Sequence, residues 1–374
     1  MIKITIFAII AIGLVSASCD DNINEKKSTP LQWIGASFKW PCQQTEVIYR
    51  NSGRYVNKNV IATRAQIYKD QVFIAMPRYR CGVAATLAVT SLDRSGCATT
   101  LVPFPCWSMQ EEGNCKALQS VVDIYMDGHD ILWVLDTGVV NSLEYPARRC
   151  PPKVVAIDVK TKKVVKVLDL SGLVCAASRL QYLVVDIAAD GRCFVYVSDA
   201  ATRAILVFDV AAGKGYRVVL PKATVAGCSR RDVLYLALVR KPCGDSVLYF
   251  SYLSSNRIFS IRTEYLQCGS TKGHVHDVGI KHAKLVFLGT DGGSSIFFRY
   301  EGESEVYRWD TKHAFKQCYC TPVYRSATCM LATHTFADYK RGQMRVLESN
   351  FPDYIQGMVG CGAIQQINIL KGCF

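Results

Sequence analysis

The stretch Leu248–Leu266, LYFSYLSSNRIFSIRTEYL, places two alternating apolar runs on either side of the small polar turn Ser254-Ser255-Asn256. This is the pattern of a β-hairpin. One hairpin cannot bury enough surface to be stable alone, so its meaning rests on recurrence. The same shape occurs six times along the chain. First strands read VFIAM around Phe73, ILWVLD around Trp133, CFVYVSD around Val195, VLYFSYL around Tyr249, SIFFRY around Phe297 and QMRVLES around Arg345. Their partners read ATLAVT, KVVAIDV, AILVFDV, RIFSIRT, EVYRWDT and AIQQINI.

The units repeat every ~50–60 residues with almost no helical periodicity between them, and Gly, Asn, Asp and Pro punctuate the turns. An all-β, six-bladed β-propeller accounts for this, because radial packing of like sheets leaves only short protected edges. No Pro/Gly/Ser-rich linker separates the repeats, which predicts a single domain over residues 18–374. LQWIGASFKW and TEVIYR, read as strands, precede the first unit and are expected to complete the blade that the last unit begins. Asp158, Asp209 and Asp310 recur just after second strands, where a carboxylate accepts backbone N–H groups in a turn; this reading outweighs metal binding.

Residues 1–17 carry one lysine, Lys3, an apolar run, and Val15 and Ala17 placed for cleavage, as in a secretory signal peptide. A lipoprotein signal acylated on Cys19 fits less well, since Ser16 occupies the position that wants an aliphatic residue. No later segment offers the ~18 apolar residues of a membrane span. The expectation is a secreted, extracellular protein with no membrane anchor.

The chain holds 17 cysteines, an odd number, so an exported protein would carry disulfides and one thiol free or paired to another molecule. Spacing alone leaves connectivity open. No CxxC pair exists and Cys318/Cys320 lack a second half-site, which argues against zinc. The formal charge is +13, or +12 once Lys3 leaves. Scattered basic residues read first as a solubilising surface and second as a face for acidic matrix or glycans; nucleic acid is not an expected partner. Asn-x-Ser/Thr sequons are absent.

No GxSxG, HExxH or phosphate loop appears, and GTDGGSS from Gly289 reads as a hairpin turn. The richest polar constellation is KGHVHDVGIKH. In an extended segment His274 and His276 share a face, as a proton-transfer pair requires, with Asp277 to orient one of them and His282 nearby. Plain solvation is the more frequent fate of loop histidines. The nineteen tyrosines suit oxidative coupling in an extracellular scaffold, although strand positions bury most of them.

Read together, NVIATRAQIYKDQVFIAMPRYRCGVAATL, LVPFPCW, SVVDIYMDGHDILWVLDTG, CPPKVVAIDVKTKKVVKVLDL, VVDIAADGRCFVYVSDAATRAILVFD and the opening hairpin resemble the insect yellow/major royal jelly protein family over nearly all of the mature chain. The resemblance implies a secreted six-bladed propeller. Its members include cuticle pigmentation factors, dopachrome-converting enzymes, nutritive secretions, eggshell proteins and salivary binders of biogenic amines, and fold alone does not choose among them.

By resemblance, Asn350 matches an asparagine that contacts ligand in amine-binding relatives, with Phe351 and Thr328 as an aromatic wall and a hydroxyl. The competing reading has Asn350 start a turn before Pro352. Arg345 stands where relatives carry Trp, and Arg308 precedes Trp309 where they carry Cys. Cys115, Cys150 and Cys193 sit where relatives place cysteines and are the expected bridging residues; the high cysteine count resembles the yellow-g-type branch linked to eggshell.

Three functions follow as expectations. The first is a non-enzymatic component or maturation factor of an eggshell or cuticle layer, with other layer components as partners. The second is a dopachrome-converting isomerase, in which a base removes a ring-carbon proton and a donor stabilises the developing charge. The third is binding of a catecholamine or indoleamine. None calls for a cofactor.

Overall fold

The computed structural model describes residues 30–92, 99–225, 227, 232–241 and 244–370; the signal peptide read at residues 1–17 lies outside them. Six antiparallel sheets form the blades of a propeller. Their innermost strands are Arg64–Tyr68, Val121–Met126, Leu180–Ile187, Leu234–Arg240, Leu285–Thr290 and Leu331–Asp338. Each packs on the next, and the last returns to the first, closing the ring.

The hairpins legible in the sequence are the second and third strands of each blade. Those strands are covered on both faces and therefore read as strong apolar runs; Ala204–Asp209, for example, is buried throughout. Alternation sends neighbouring side chains to different junctions. Phe250 packs toward blade 3 with Phe194 and Tyr196, while Tyr249 packs toward blade 5 with Phe298 and Trp309. Phe297 faces the other way, with Val346 and Met344 of blade 6. The core is thus a circle of wedges between blades.

Blade 6 consists of Leu331–Asp338, Gln343–Ser349, Ile364–Leu370 and, from the N-terminus, Leu31–Ile34. Leu31 pairs with Ile367 and Ile34 with Ile364, completing the blade as the sequence predicts. Gln365 fastens the seam: its Oε1 accepts the Ala62 N–H at 2.6 Å and its Nε2 donates to the Gly35 carbonyl at 2.7 Å. Ser37–Phe38 then adds a parallel edge to blade 1, so one short segment ties both blades.

TEVIYR departs from expectation. It lies in the helix Gln43–Asn51, not in a strand. Glu46 and Arg50, one helical turn apart, pair at 2.7 Å, and Ser52-Gly53 ends the helix. The β-like Thr-Glu-Val-Ile pattern misleads because the blade it was expected to join already has its fourth strand.

The recurrent aspartates act in turns. Asp158 accepts the N–H groups of Lys160 and Thr161, Asp209 that of Ala212, and Asp310 that of Lys312. GTDGGSS forms a hairpin turn in which Asp291 accepts the Gly293 and Ser295 N–H groups.

Candidate functional site

Every innermost strand starts at one face of the ring, and there the channel opens into a cavity of about 700 Å³. Tyr79, Gln181, Tyr182, Tyr235, Arg299 and Phe351 are among its lining residues. Tyr182 and Tyr235 tilt against each other with centroids 5.1 Å apart. The Arg299 guanidinium is held by the carbonyls of Ala332 and Tyr300; burial lowers its pKa, which nearby Tyr235 and Tyr182 oppose. A mouth of phenol rings with embedded guanidinium groups suits a flat, polar aromatic ligand.

Below the mouth lies the waist, where Arg64, Asp123, Tyr182 and His334 meet. Arg64 Nε stands 3.2 Å from Asp123 Oδ1, and its Nη1 donates to the carbonyls of Thr63 and Thr333. Its guanidinium carbon lies 4.8 Å from the Tyr182 ring centroid. Asp123 also accepts the Leu183 and Ile124 N–H groups. Burial pushes its carboxyl up to about 6 against the pull of Arg64, and burial raises the Tyr182 hydroxyl to about 12. His334 Nδ1 accepts the Ala65 N–H at 3.2 Å. Burial, with Arg64 close by, holds the imidazole neutral, its pKa well below the usual value.

The residues proposed from sequence are scattered by the fold. His274 stacks on Tyr265 at 3.6 Å between centroids. His276 begins His276–Ile280, the outermost strand of blade 4. Both therefore sit at the rim, far from the channel in the order of strands, and Asp277 pairs with Arg257 instead of a histidine. Phe351 lines the upper mouth. Asn350 precedes the helix Phe351–Gln356, accepts the Ile364 N–H and donates to Asp353; Thr328 is exposed beside Ser326. Neither lines the mouth, so the turn-starting reading describes Asn350.

Cys115 and Cys150 form a disulfide. Gly138, at φ +68°, lies so close to the Cys150 carbonyl that a Cβ there would come within 2.0 Å of it, which explains the glycine. Cys193 departs from the third expectation: among the described residues its thiol is unbridged, half-buried in the second strand of blade 3, and burial raises it to about 12. Arg345 does not reach the channel mouth; it is buried against Asp338 at 2.8 Å. Arg308 donates to Ser295 Oγ at 2.9 Å.

Sequence reasoning missed the waist. Asp123 and His334 each fall inside an innermost strand and Arg64 opens one, and those polar residues in the strands were the available signal. A buried charge in a strand core needs a partner, and only the ring reveals that the partners lie on other blades.

The fold is thus a six-bladed propeller whose channel widens at one face into an aromatic, basic mouth. The family model "Major royal jelly protein" matches residues 119–369, and the chain belongs to that family. It is 24% identical over 339 residues to "Major royal jelly protein 1" of Apis mellifera, covering 82% of this chain and 76% of that protein. It is 25% identical over 266 residues to "Protein yellow" of Drosophila melanogaster, covering 66% of this chain and 49% of that protein. A "Dopaminechrome tautomerase" of Drosophila melanogaster matches at 27% over 172 residues, covering 45% and 37%. The chain thus spans about half the length of the yellow protein it matches.

Proposed function

We propose that this propeller is an exported, non-enzymatic component or maturation factor of an extracellular layer of the eggshell or cuticle kind, joined to its surroundings through surface thiols. One observation carries the reading. Cys42, Cys81, Cys106, Cys175, Cys268, Cys318, Cys329 and Cys361 are exposed and unbridged among the described residues. In an oxidising compartment, exposed thiols exchange with disulfides of neighbouring molecules. The groups at the waist are, by contrast, occupied by internal bonds, which favours binding over turnover.

The test is extraction of the layer with and without reductant, followed by mass mapping of the cysteines. Release that depends on reductant, with intermolecular bridges at these positions, supports the proposal. A freely soluble monomer with every surface cysteine in an intramolecular bridge refutes it.

A second reading has its own observation: Asp123, raised to about 6 beside Arg64, has acid–base character near neutrality. In a dopachrome-type isomerisation its carboxylate would take the ring-carbon proton, Arg64 would stabilise charge on the carbonyl oxygen, and protonation of that oxygen would complete the shift without an oxidant. A spectrophotometric assay decides this. Decay of dopachrome no faster than in buffer eliminates it. A catecholamine or indoleamine held without reaction would occupy the same mouth, against Phe351, Tyr182 and Tyr235, and would give heat on titration.

A further inference from the structure

The upper mouth is one-sided in charge. Its cavity of about 700 Å³ is lined by four arginines, Arg64, Arg148, Arg179 and Arg299, and among the described residues no Asp or Glu lines it. Asp123 lies below, in the waist, and already pairs with Arg64 at 3.2 Å. A cavity whose wall carries charge of one sign concentrates a ligand of the other sign.

Two groups in that wall are short of acceptors. Arg299 is 8% exposed; its Nε and Nη1 donate to the Ala332 and Tyr300 carbonyls at 2.8 and 3.0 Å, while its Nη2 has no hydrogen-bond partner and no carboxylate forms an ion pair with it among the described residues. Tyr235 is 5% exposed, and its hydroxyl, which burial keeps protonated, makes no hydrogen bond among the described residues. Neither atom is sealed, since both side chains reach the cavity. Tyr235 is the first of the groups that oppose the effect of burial on Arg299, so the two donors share one region of the wall. A buried guanidinium without a counter-ion is costly, and donors that face a cavity are completed by an acceptor placed in it.

An amine fits this wall poorly. It meets no carboxylate there, and the Tyr182 ring, one of the faces that could seat a cation, already carries the Arg64 guanidinium 4.8 Å from its centroid. Tyr182 and Tyr235, tilted at 5.1 Å between centroids, offer aromatic surface to a ring, and a guanidinium N–H beside a phenol O–H matches the two oxygens of a carboxylate. We propose that the upper mouth takes an aromatic carboxylate in preference to an amine, with its ring against Tyr235 and Tyr182, its acid group on Arg299 Nη2 and Tyr235 Oη, and the exposed Arg148 drawing the anion in. This seat rests on the mouth being a ligand site, as in the second reading above, and is independent of the thiol links at the surface.

Calorimetric titration of the whole protein with 4-hydroxyphenylacetate, its amine counterpart tyramine and neutral 4-methylphenol tests this, because the three share a phenol ring and differ in charge. The expected result is saturable heat with the acid, severalfold tighter than with either of the others, weakened at least tenfold in Arg299→Gln and severalfold in Tyr235→Phe, which removes one hydroxyl and keeps the ring. Should Arg299→Gln not fold, Tyr235→Phe carries the decision. Tyramine binding as tightly as the acid overturns the charge assignment and leaves the mouth a ligand site. Acid binding unchanged in the variants overturns the seat. No saturable binding of any of the three up to about 10 mM overturns the proposal together with the ligand reading of the mouth.

Discussion

Arg64 reaches four blades at once: it sits on blade 1, pairs with Asp123 of blade 2 at 3.2 Å, lies over Tyr182 of blade 3 and donates to Thr333 of blade 6. The side chain acts as an axle pin through the channel waist. Removing it leaves the buried Asp123 carboxyl without its ion-pair partner, holding only the Leu183 and Ile124 N–H groups. Arg64→Met is therefore expected to cost about 3–5 kcal/mol, and the double variant Arg64→Met/Asp123→Leu to recover a large part. Urea unfolding of the three proteins measures this; equal losses in the single and double variants would contradict it.

The waist also sets a pH dependence with two opposing parts. Asp123 has its folded pKa raised to about 6 from an ordinary 3.8, so the native state binds more protons between those values and stability falls as pH rises through them. His334 has its folded pKa lowered from 6.5, so its contribution is present above 6.5 and is lost as pH falls. The two partly cancel in the parent protein. In His334→Asn, which keeps an acceptor for the Ala65 N–H, Tm should fall from pH 4 to 6, while in Asp123→Asn it should rise over the same range. Thermal melts at four pH values check the signs.

The disulfide Cys115–Cys150 closes a loop of sequence separation 35, and its far end adjoins Arg148 and Pro152 at the upper mouth. Cys115→Ser with Cys150→Ser should lower stability by about 3–4 kcal/mol on the chain-entropy account. Denaturant unfolding of the double variant against the parent gives the number directly.

Thiol reactivity should divide by environment. Hydrogen bonds from Thr45 lower the Cys42 pKa and those from Ser178 lower that of Cys175, whereas burial raises Cys193 to about 12. Iodoacetamide at pH 7, followed by peptide mapping, should label Cys42 and Cys175 first and Cys193 last. Early labelling of Cys193 would show that its strand opens.

Trp33, 2% exposed, anchors the N-terminal strand in the cluster of Ile74, Leu347 and Ile367. Trp33→Ala is expected to destabilise by about 3–5 kcal/mol, and the same variant should increase aggregation on storage, because the edge of Ile364–Leu370 becomes available for pairing. Light scattering beside the melt separates the two effects.

The blade number was legible because the strands that carry it, such as Cys193–Asp199 and Ala204–Asp209, are apolar on both faces. Outer strands were not, since exposed positions relax the pattern: Val164, Val165 and Val167 of Lys163–Asp169 face solvent. The site was less legible still. Asp123 and His334 are separated by more than two hundred residues in the chain and meet only through closure of the ring. Histidine spacing drew attention to His274 and His276, yet local spacing reports a shared strand face and not a shared cavity.

The clasp between Gly35 and Gln365 joins residues 330 positions apart. During synthesis Leu31–Ile34 must therefore wait, unmated, until Ile364–Leu370 has emerged. Such a topology makes assembly slow and leaves a sticky margin on every nascent molecule. Until Leu31–Ile34 has met Ile364–Leu370, both margins of blade 6 are open to a neighbouring molecule.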